Sequence, residues 1–230
     1  MTTPDILIGI CGRKRHGKDS VGRILQEELG FQLTAFADAV KRVAMDVYGL
    51  SWDQCYGDGP EKEAIDPRWG LSPRVIMQRI GTEIGRNIHQ DTWVRHTLDN
   101  IKDAQEGRPY VVRDDARRAF LRMEDTVLAR WFGRIACVLY GWLALMGFRT
   151  KPARRAGWVI TDVRFPNEAE AIRAAGGIVL KVVRPSLGVS DDEHPSETSV
   201  DLIEADHPII NDGTLADLRT KLLSVRMSFR

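Results

Sequence analysis

The chain has 230 residues, of which 43% are hydrophobic and 28% are charged. That composition is typical of a globular protein, and it excludes collagen, coiled coil and disorder as descriptions of the whole chain. The 33 Lys and Arg residues against 32 Asp and Glu give a net charge of +1, so overall charge does not indicate a nucleic-acid-binding protein. The length fits one large domain, or one domain with an insertion.

The cysteines and the first residues favour a cytoplasmic protein. Cys11, Cys55 and Cys137 are an odd number, lie far apart and form no CxxC pair, which argues against disulfides and against a zinc site. The opening sequence, MTTPDILIGICG, lacks the basic region and the long apolar region of a secretory signal.

Strand and helix patterns alternate along the first half of the chain. Asp5–Cys11 is a short apolar run, which is typical of a buried parallel strand, and Phe31–Phe36 can form a second strand. The segment Ser51–Leu71 is rich in Gly, Pro and Asp and is predicted to be loop. Apolar residues at helical spacing predict helices over 18–29, 37–50, 73–88 and 92–104. Val47 and Ile84 are among the residues expected to face inward from these helices.

The same alternation resumes after residue 156. Gly157–Thr161 and Ile178–Val183 are predicted strands, separated by an alanine-rich helix over Asn167–Ala175. Ser186–Glu204 is polar and is predicted to be loop, and His207–Ile210 is predicted to be a short strand. Strands that alternate with helices from end to end imply an α/β fold with a mainly parallel sheet and right-handed crossovers.

A final helix is predicted to begin at Gly213 and Thr214. Thr214 and Asp217 have the spacing of a capping box, with Asp in place of the usual Glu or Gln. The residues expected to face inward from this helix are Leu215, Leu218, Leu222 and Val225.

A glycine-rich loop between the first strand and the first helix matches the pattern of a phosphate-binding loop. The segment GRKRHGKDS over residues 12–20 has the form G-x(4)-G-K. Its glycines allow backbone N–H groups to turn inward around phosphate oxygens, and the helix N-terminus adds donors and a partial positive charge. Lys18 is expected to reach the β- and γ-phosphates. The basic residues between the glycines, Lys14 among them, also favour a polyphosphate.

The residue after the loop lysine departs from the usual pattern. Ser or Thr normally stands there and ligates magnesium, whereas this chain has Asp19, with Ser20 one place later. Either side chain can face the ion, and the sequence does not choose between them.

Further blocks of polar and charged residues follow the loop. They are FADAVK at 36–41, QRIGTEIGR at 78–86, DTWV at 91–94, ITDVRFPNEAEAIRAAGG at 160–177, VVRP at 182–185, HPSE at 194–197 and INDGTLADL at 210–218. In this order, together with GKDS, they resemble the bacteriophage-type deoxynucleoside monophosphate kinases over roughly 5–104 and 157–223. The resemblance implies a P-loop NTPase three-layer sandwich of the nucleoside monophosphate kinase type, which would transfer phosphate from ATP, with Mg²⁺, to a deoxynucleoside 5′-monophosphate.

The resemblance also implies roles for particular residues. The ATP and Mg²⁺ side would comprise Gly12, Lys14, Gly17, Lys18, Asp19, Ser20, Arg184 and Asn211, with Asp19 and Ser20 as metal ligands. The monophosphate side would comprise Asp38, Lys41, Arg79, Thr82, Glu83, Arg86 and Trp93. The catalytic group near the transferred phosphate would comprise Lys18, Asp162 and Arg164.

Several of these residues have simpler roles open to them. Lys41 can be a helix-surface charge, and Trp93 can belong to the core rather than stack on a base. Arg86 can pair with Glu83 at i, i+3. Asp162 can cap the helix that follows it.

The segment 105–156 has no counterpart in the family pattern. It is rich in arginine at first, with Arg117 and Arg118, and then contains the apolar run Ile135–Phe148, which is shorter than the roughly 20 residues of a membrane-spanning helix. We expect residues 1–230 to form a single P-loop kinase domain with 105–156 as a helical insertion. Three roles stay open for it: a lid, a dimerisation or membrane-facing hairpin, and an incidental insertion.

Two other classes of function remain open. The chain can be another small-molecule P-loop kinase, acting on dephospho-CoA or phosphomevalonate, or a nucleotide-binding interaction module without catalysis. In the favoured interpretation it is a nucleotide-metabolism enzyme in the cytoplasm, which is that of the host cell if a phage encodes the chain. Its partners are then small nucleotides rather than nucleic acid, a membrane role is not expected, and a homodimer is left open.

Overall fold

The computed structural model describes residues 6–57, 59–106, 156–187 and 199–225. The chain divides into two compact units, Met1–Ile101 with Arg155–Arg230, and Lys102–Arg154. Almost all of the described residues belong to the first unit. The apolar run at 135–148 and Cys137 lie outside the described residues.

Five parallel strands form the sheet of the first unit, in the order β2-β3-β1-β4-β5. The strands are β1 (Ile6–Cys11), β2 (Gln32–Thr34), β3 (Gly157–Val163), β4 (Ile178–Val183) and β5 (His207–Ile210). A parallel sheet of this kind needs helical crossovers on its faces, because each strand must be followed by a return connection. The predicted α/β fold is confirmed.

Seven α-helices are described around the sheet. They are α1 (Lys18–Leu29), α2 (Ala37–Tyr48), α3 (Trp52–Tyr56), α4 (Pro73–Arg79), α5 (Thr92–Gln105), α6 (Pro166–Ala174) and α7 (Leu215–Val225). A π-helical segment, Ile80–Arg86, continues α4, and short 3₁₀ turns occupy Pro60–Lys62, Pro185–Leu187 and Ser199–Leu202. None of the helices described is long and apolar enough to span a membrane.

The core lies on both faces of the sheet, which makes three layers. On one face, Ile8 and Ile10 of β1 pack in a single apolar cluster with residues of α1 and α7. On the opposite face, Ile172 of α6 lies over Gly9, where a β-carbon would come within 2.6 Å of its Cδ1. A second cluster, centred on Ala44 and Ile80, joins α2, α3, α4 and the π-helical segment.

Three residues predicted to face inward are largely exposed. Val47 is 67% exposed, because α2 turns Ala44 and Tyr48, rather than Val47, toward the packed cluster. Ile84 is 48% exposed, because the π-helical hydrogen-bonding pattern displaces the i+4 residue from the face that Ile80 occupies. Leu215 is 65% exposed at the first position of α7, whereas Leu218 and Leu222 are buried as predicted. The side chain of Val225 lies outside the described residues.

A predicted loop and a predicted helix start had different outcomes. Ser51–Leu71 is not all loop, because Ser51 and Gln54 form a capping box that starts helix α3. The predicted pairing at the start of α7 is confirmed, since Thr214 N donates to Asp217 Oδ2 at 2.8 Å and Asp217 N donates to Thr214 Oγ1 at 3.3 Å.

Candidate active site

The loop between β1 and α1 has the backbone geometry that its glycines predict. Gly12 and Gly17 have φ angles of 149° and 102°, which favour glycine. A β-carbon on Gly12 would lie 2.5 Å from Val182 O, and one on Gly17 would lie 2.5 Å from Asn211 Nδ2. Arg15 also has a positive φ of 65°. The loop therefore passes close to the ends of β4 and β5 before it enters a helix N-terminus, an arrangement suited to binding an anion.

Lys18 folds back over this loop. Its Nζ donates to Gly12 O and to Arg13 O, the latter at 2.9 Å. A lysine ammonium held at the rim of the loop is placed to meet a phosphate bound by the backbone N–H groups. Lys14 is exposed on the loop.

Asp19 and Ser20, the two candidate metal ligands, lie in the first turn of α1. Asp19 is exposed and Ser20 is half-buried. The described residues contain no cluster of three or more His, Cys, Asp or Glu side chains able to hold a metal ion. Mg²⁺ in phosphate-transferring sites is usually held by one or two protein oxygens together with substrate phosphates, so these two hard oxygen donors fit it chemically.

Asp162, at the end of β3, caps a helix, but not the one that follows it. Its Oδ1 accepts from Phe36 N at 2.7 Å and its Oδ2 accepts from Ala37 N at 2.9 Å. Those two N–H groups begin α2, which is remote in sequence. The cap hypothesis was therefore correct about the type of role and wrong about the helix.

Asp38 and Lys41 lie on α2 and both contact Tyr56 of α3. The Tyr56 hydroxyl donates to Asp38 Oδ1 at 3.1 Å, and Ala35 N donates to Asp38 Oδ2 at 3.0 Å. Lys41 Nζ lies 4.0 Å from the centroid of the Tyr56 ring, whose other face stacks on Trp52 at 3.8 Å. Burial raises the pKa of Asp38, and the nearby Lys41 ammonium opposes that shift.

Arg86 forms its described ion pair across the fold rather than with Glu83. Its Nη2 lies 2.6 Å from Oε1 of Glu168, whose side chain is only 3% exposed. The guanidinium also stacks 3.9 Å from the centroid of Phe165. Glu168 Oε2 accepts from the backbone N–H groups of Arg164 and Phe165, and burial raises the pKa of its carboxyl. Arg86 thereby joins the end of the π-helical segment to the start of α6.

Trp93 packs against the π-helical segment. Its Nε1 donates to Gly81 O at 2.8 Å, and a β-carbon on Gly85 would overlap the indole ring. This contact gives Trp93 a packing role, and part of its side chain stays accessible.

Five other predicted site residues are largely exposed. Arg79 and Glu83 lie 3.8 Å apart at i, i+4, and more than half of each side chain is accessible. Thr82, Arg164 and Arg184 are also exposed. Like Lys14 and Asp19, these side chains are accessible to a ligand.

Asn211 is buried directly after β5, beside the phosphate loop. Its Nδ2 donates to His16 O at 2.9 Å, and the backbone N–H of Arg184 donates to His16 Nδ1 at 3.3 Å. Burial is the main cause of a lowered His16 pKa.

The predicted residues follow the carboxyl ends of all five strands. The loop follows β1, α2 follows β2, Asp162 ends β3, Arg184 follows β4 and Asn211 follows β5. In open α/β sheets this edge is where ligands bind. Sequence reasoning did not find Tyr56, Trp52 or Glu168. The first two could have been found from the S-x-x-Q capping pattern at 51–54 and the i, i+4 aromatic pair behind it.

Comparisons with known sequences point to one family. A family model described as deoxynucleotide monophosphate kinase matches residues 140–222. A protein of Acanthamoeba polyphaga mimivirus, provisionally named deoxynucleotide monophosphate kinase, is 31% identical over 221 residues, covering 95% of each chain. Deoxynucleotide monophosphate kinases of Escherichia phage RB69 and Enterobacteria phage T4 are 40% and 37% identical over 65 residues, which are 28% of this chain and 26% and 27% of theirs.

Two solved structures are similar at low identity. TT1252 from Thermus thermophilus has 18% identity and a TM-score of 0.42, with 99% of this chain and 100% of that chain covered. Dephospho-CoA kinase from Campylobacter jejuni has 15% identity and a TM-score of 0.35, with coverages of 97% and 96%.

The mimivirus relative is matched over nearly its whole length, and the phage kinases carry the same name. The phosphate loop and the parallel sheet described above form a framework that P-loop phosphate-transferring enzymes use. The chain belongs to the deoxynucleotide monophosphate kinase family.

Proposed function

We propose that this chain transfers the γ-phosphate of ATP to a deoxynucleoside 5′-monophosphate and so produces the diphosphate. One observation carries the proposal. A member of this family has a phosphate loop whose backbone conformation depends on glycines, and Lys18 folds over that loop. The loop and α1 would hold the ATP phosphates. The acceptor would lie toward α2 and the π-helical segment, at the same edge of the sheet.

The acceptor needs no strong general base. The second pKa of a phosphate monoester is near ~6, so the attacking oxygen is already largely ionised at neutral pH. The chain's contribution is to hold two polyanions in line and to offset their charge. Lys18 would offset charge on the ATP side, and Lys41 and Arg79 would do so on the acceptor side. Asp162 would set the position of α2, which carries Lys41.

Mg²⁺, held by Asp19 or Ser20 together with the ATP phosphates, would supply further charge neutralisation when bound. Asp19 is the only carboxylate among the loop and first-turn residues 12–20. Asp19→Asn should therefore raise the Mg²⁺ concentration needed for half-maximal rate if this residue is the ligand. An unchanged requirement would assign that role to Ser20.

We also propose that 105–156 is an insertion into a single kinase domain. In support, all five strands of the sheet lie outside it, and the chain returns at Ala156 directly before β3. A lid role predicts that Arg117→Ala or Arg118→Ala lowers kcat while the protein stays folded. A homodimer through this segment predicts a doubled mass in sedimentation equilibrium.

The substrate proposal is tested by an acceptor panel. The purified chain is incubated with Mg-ATP and each of the dNMPs, the NMPs and dephospho-CoA, and ADP formation is followed. The proposal predicts ADP with one or more dNMPs and none above background with dephospho-CoA. Transfer to dephospho-CoA alone would contradict it. Since the family's relatives are viral, we expect this activity to serve nucleotide supply inside an infected cell.

A further inference from the structure

Asn211, the residue directly after β5, forms a side-chain hydrogen bond to the backbone of the phosphate loop. Asn211 is only 8% exposed, and its carboxamide N–H donates to the carbonyl of His16, the fifth residue of the loop, at 2.9 Å. Its own backbone N–H donates to Val183 O at 2.7 Å, so β4 fixes its position. The carboxamide is therefore anchored on one side to the sheet and on the other to the loop.

The His16 ring makes a second connection between the loop and the sheet. His16 is 8% exposed, its Nδ1 accepts from the backbone N–H of Arg184 at 3.3 Å, and the ring hydrogen-bonds to the backbone of Val182. Gly12 and Gly17 lack the β-carbons that would keep the loop away from Val182 and Asn211. Both ends of the loop therefore lie against β4 and the residue after β5.

We propose that Asn211 and His16 are positioning residues that set the affinity of the phosphate loop for polyphosphate, and that the Asn211 side chain does not itself contact the nucleotide. One of the two N–H groups of its carboxamide is donated to His16 O within the fold, which orients the side chain on the loop. Freeing that amide would leave a buried carbonyl without its donor, which is costly. This inference rests on the proposed function only in that the loop binds ATP.

The test compares two ligands that share phosphates but not a base. Affinities for ATP and for inorganic tripolyphosphate are measured by calorimetry, without acceptor, for the wild type and for Asn211→Leu, a near-isosteric change. We expect both affinities to fall by about the same factor, on the order of tenfold, as for a lost buried hydrogen bond. The KM for the dNMP should stay within about twofold. Asp212→Asn, an exposed neighbour, is the matched control and should change neither affinity.

A second pair of variants keeps the test decisive if Asn211→Leu does not fold. His16→Asn retains an acceptor near the position of Nδ1, and His16→Leu removes it. The proposal predicts that His16→Leu weakens binding of both ligands and that His16→Asn restores most of it.

Three results would overturn the inference. One is a loss of affinity for ATP but not for tripolyphosphate, which would mean that Asn211 contacts the base. Another is unchanged binding of both ligands by folded Asn211→Leu and His16→Leu. The third is a wild-type chain that binds neither ligand, which would overturn the proposed function as well. By contrast, a wild type that binds both but phosphorylates no dNMP would contradict the proposed function alone.

Discussion

The carboxylate of Asp162 accepts the backbone N–H of Ala37 at 2.9 Å, so the end of β3 is joined to the start of α2. Its other oxygen accepts from Phe36 N at 2.7 Å. These are the orphan N–H groups of a helix start, and α2 has no side-chain cap of its own. The strand that lies beside the phosphate-loop strand therefore fixes the helix that carries Asp38 and Lys41.

Removing this cap should cost stability. Asp162→Ala leaves two N–H groups of α2 without their acceptor, and we expect the free energy of unfolding to fall by about 1 kcal/mol, the usual cost of a lost cap. Urea denaturation measures it. If Asp162 acts only by positioning α2, the KM for the dNMP should rise while ATP affinity is unchanged. An unfolding free energy equal to that of the wild type would contradict the capping role.

Arg86 should contribute to the free energy of unfolding, whether or not it also contacts a substrate. Arg86→Met leaves the buried Glu168 carboxylate without its ion pair, and breaking such a pair costs about 3 kcal/mol. Arg79→Met is the matched control, because Arg79 belongs to the same block but its pair with Glu83 is exposed, and such pairs contribute under ~1 kcal/mol. Equal losses in thermal or urea unfolding of the two variants would contradict the structural role of Arg86.

The two glycines of the π-helical segment should respond differently to alanine. A β-carbon on Gly85 overlaps the ring of Trp93, whereas one on Gly81 meets the side chain of Val40 at an ordinary 3.7 Å. We expect Gly85→Ala to lower the free energy of unfolding by about 1–3 kcal/mol through overpacking. Gly81→Ala should be nearly neutral. A neutral Gly85→Ala would mean that Trp93 does not pack on this segment.

The contribution of His16 to the stability of the fold should decrease in mildly acidic solution. Its pKa is lowered, by burial first and then by the charges of Lys18 and Arg13, while the backbone of Val182 and the carboxylate of Asp201 oppose the shift. Below the unfolded-state pKa of about 6.5 this residue binds protons more readily in the unfolded chain than in the folded chain, so its contribution to the free energy of unfolding falls as pH falls.

Histidine variants separate the contributions to this pH dependence. His16→Asn should make the decline below pH ~6.5 shallower in urea denaturation series. The pKa of His96 is lowered too, mainly by burial, so His96→Asn should remove a separate part of the slope. A slope in His16→Asn identical to that of the wild type would show that His16 does not titrate in this way.

The sequence predicted the fold well because its signals were local. Each of the five strands was found from short apolar runs, and Ile178–Val183 and His207–Ile210 were predicted with their observed bounds. The phosphate loop was predicted because its two glycines and its lysine occur at a fixed spacing directly before a predicted helix. Periodicity misplaced Ile84, since a π-helical turn alters the helical period without a distinctive composition.

The parts of the site that sequence did not predict depend on contacts between distant residues. Asp162 capping α2, Arg86 pairing with Glu168, and Asn211 holding His16 each join residues more than 80 positions apart. No short sequence pattern indicates a contact between residues so far apart in the chain. Substrate contacts of Arg79, Thr82, Glu83, Arg164 and Arg184 stay predictions.

The proposed function requires that Lys18 and the phosphate loop support the transfer of phosphate from ATP to a deoxynucleoside monophosphate. The most direct measurement follows label from [γ-³²P]ATP into the dNDP product, for the wild type and for Lys18→Ala in parallel, with circular dichroism to show that both are folded. We expect labelled dNDP with the wild type and a rate lower by roughly 10²-fold or more in the variant, because the variant lacks a positive charge that stabilises the transferred group. A folded Lys18→Ala that transfers label at the wild-type rate would contradict it.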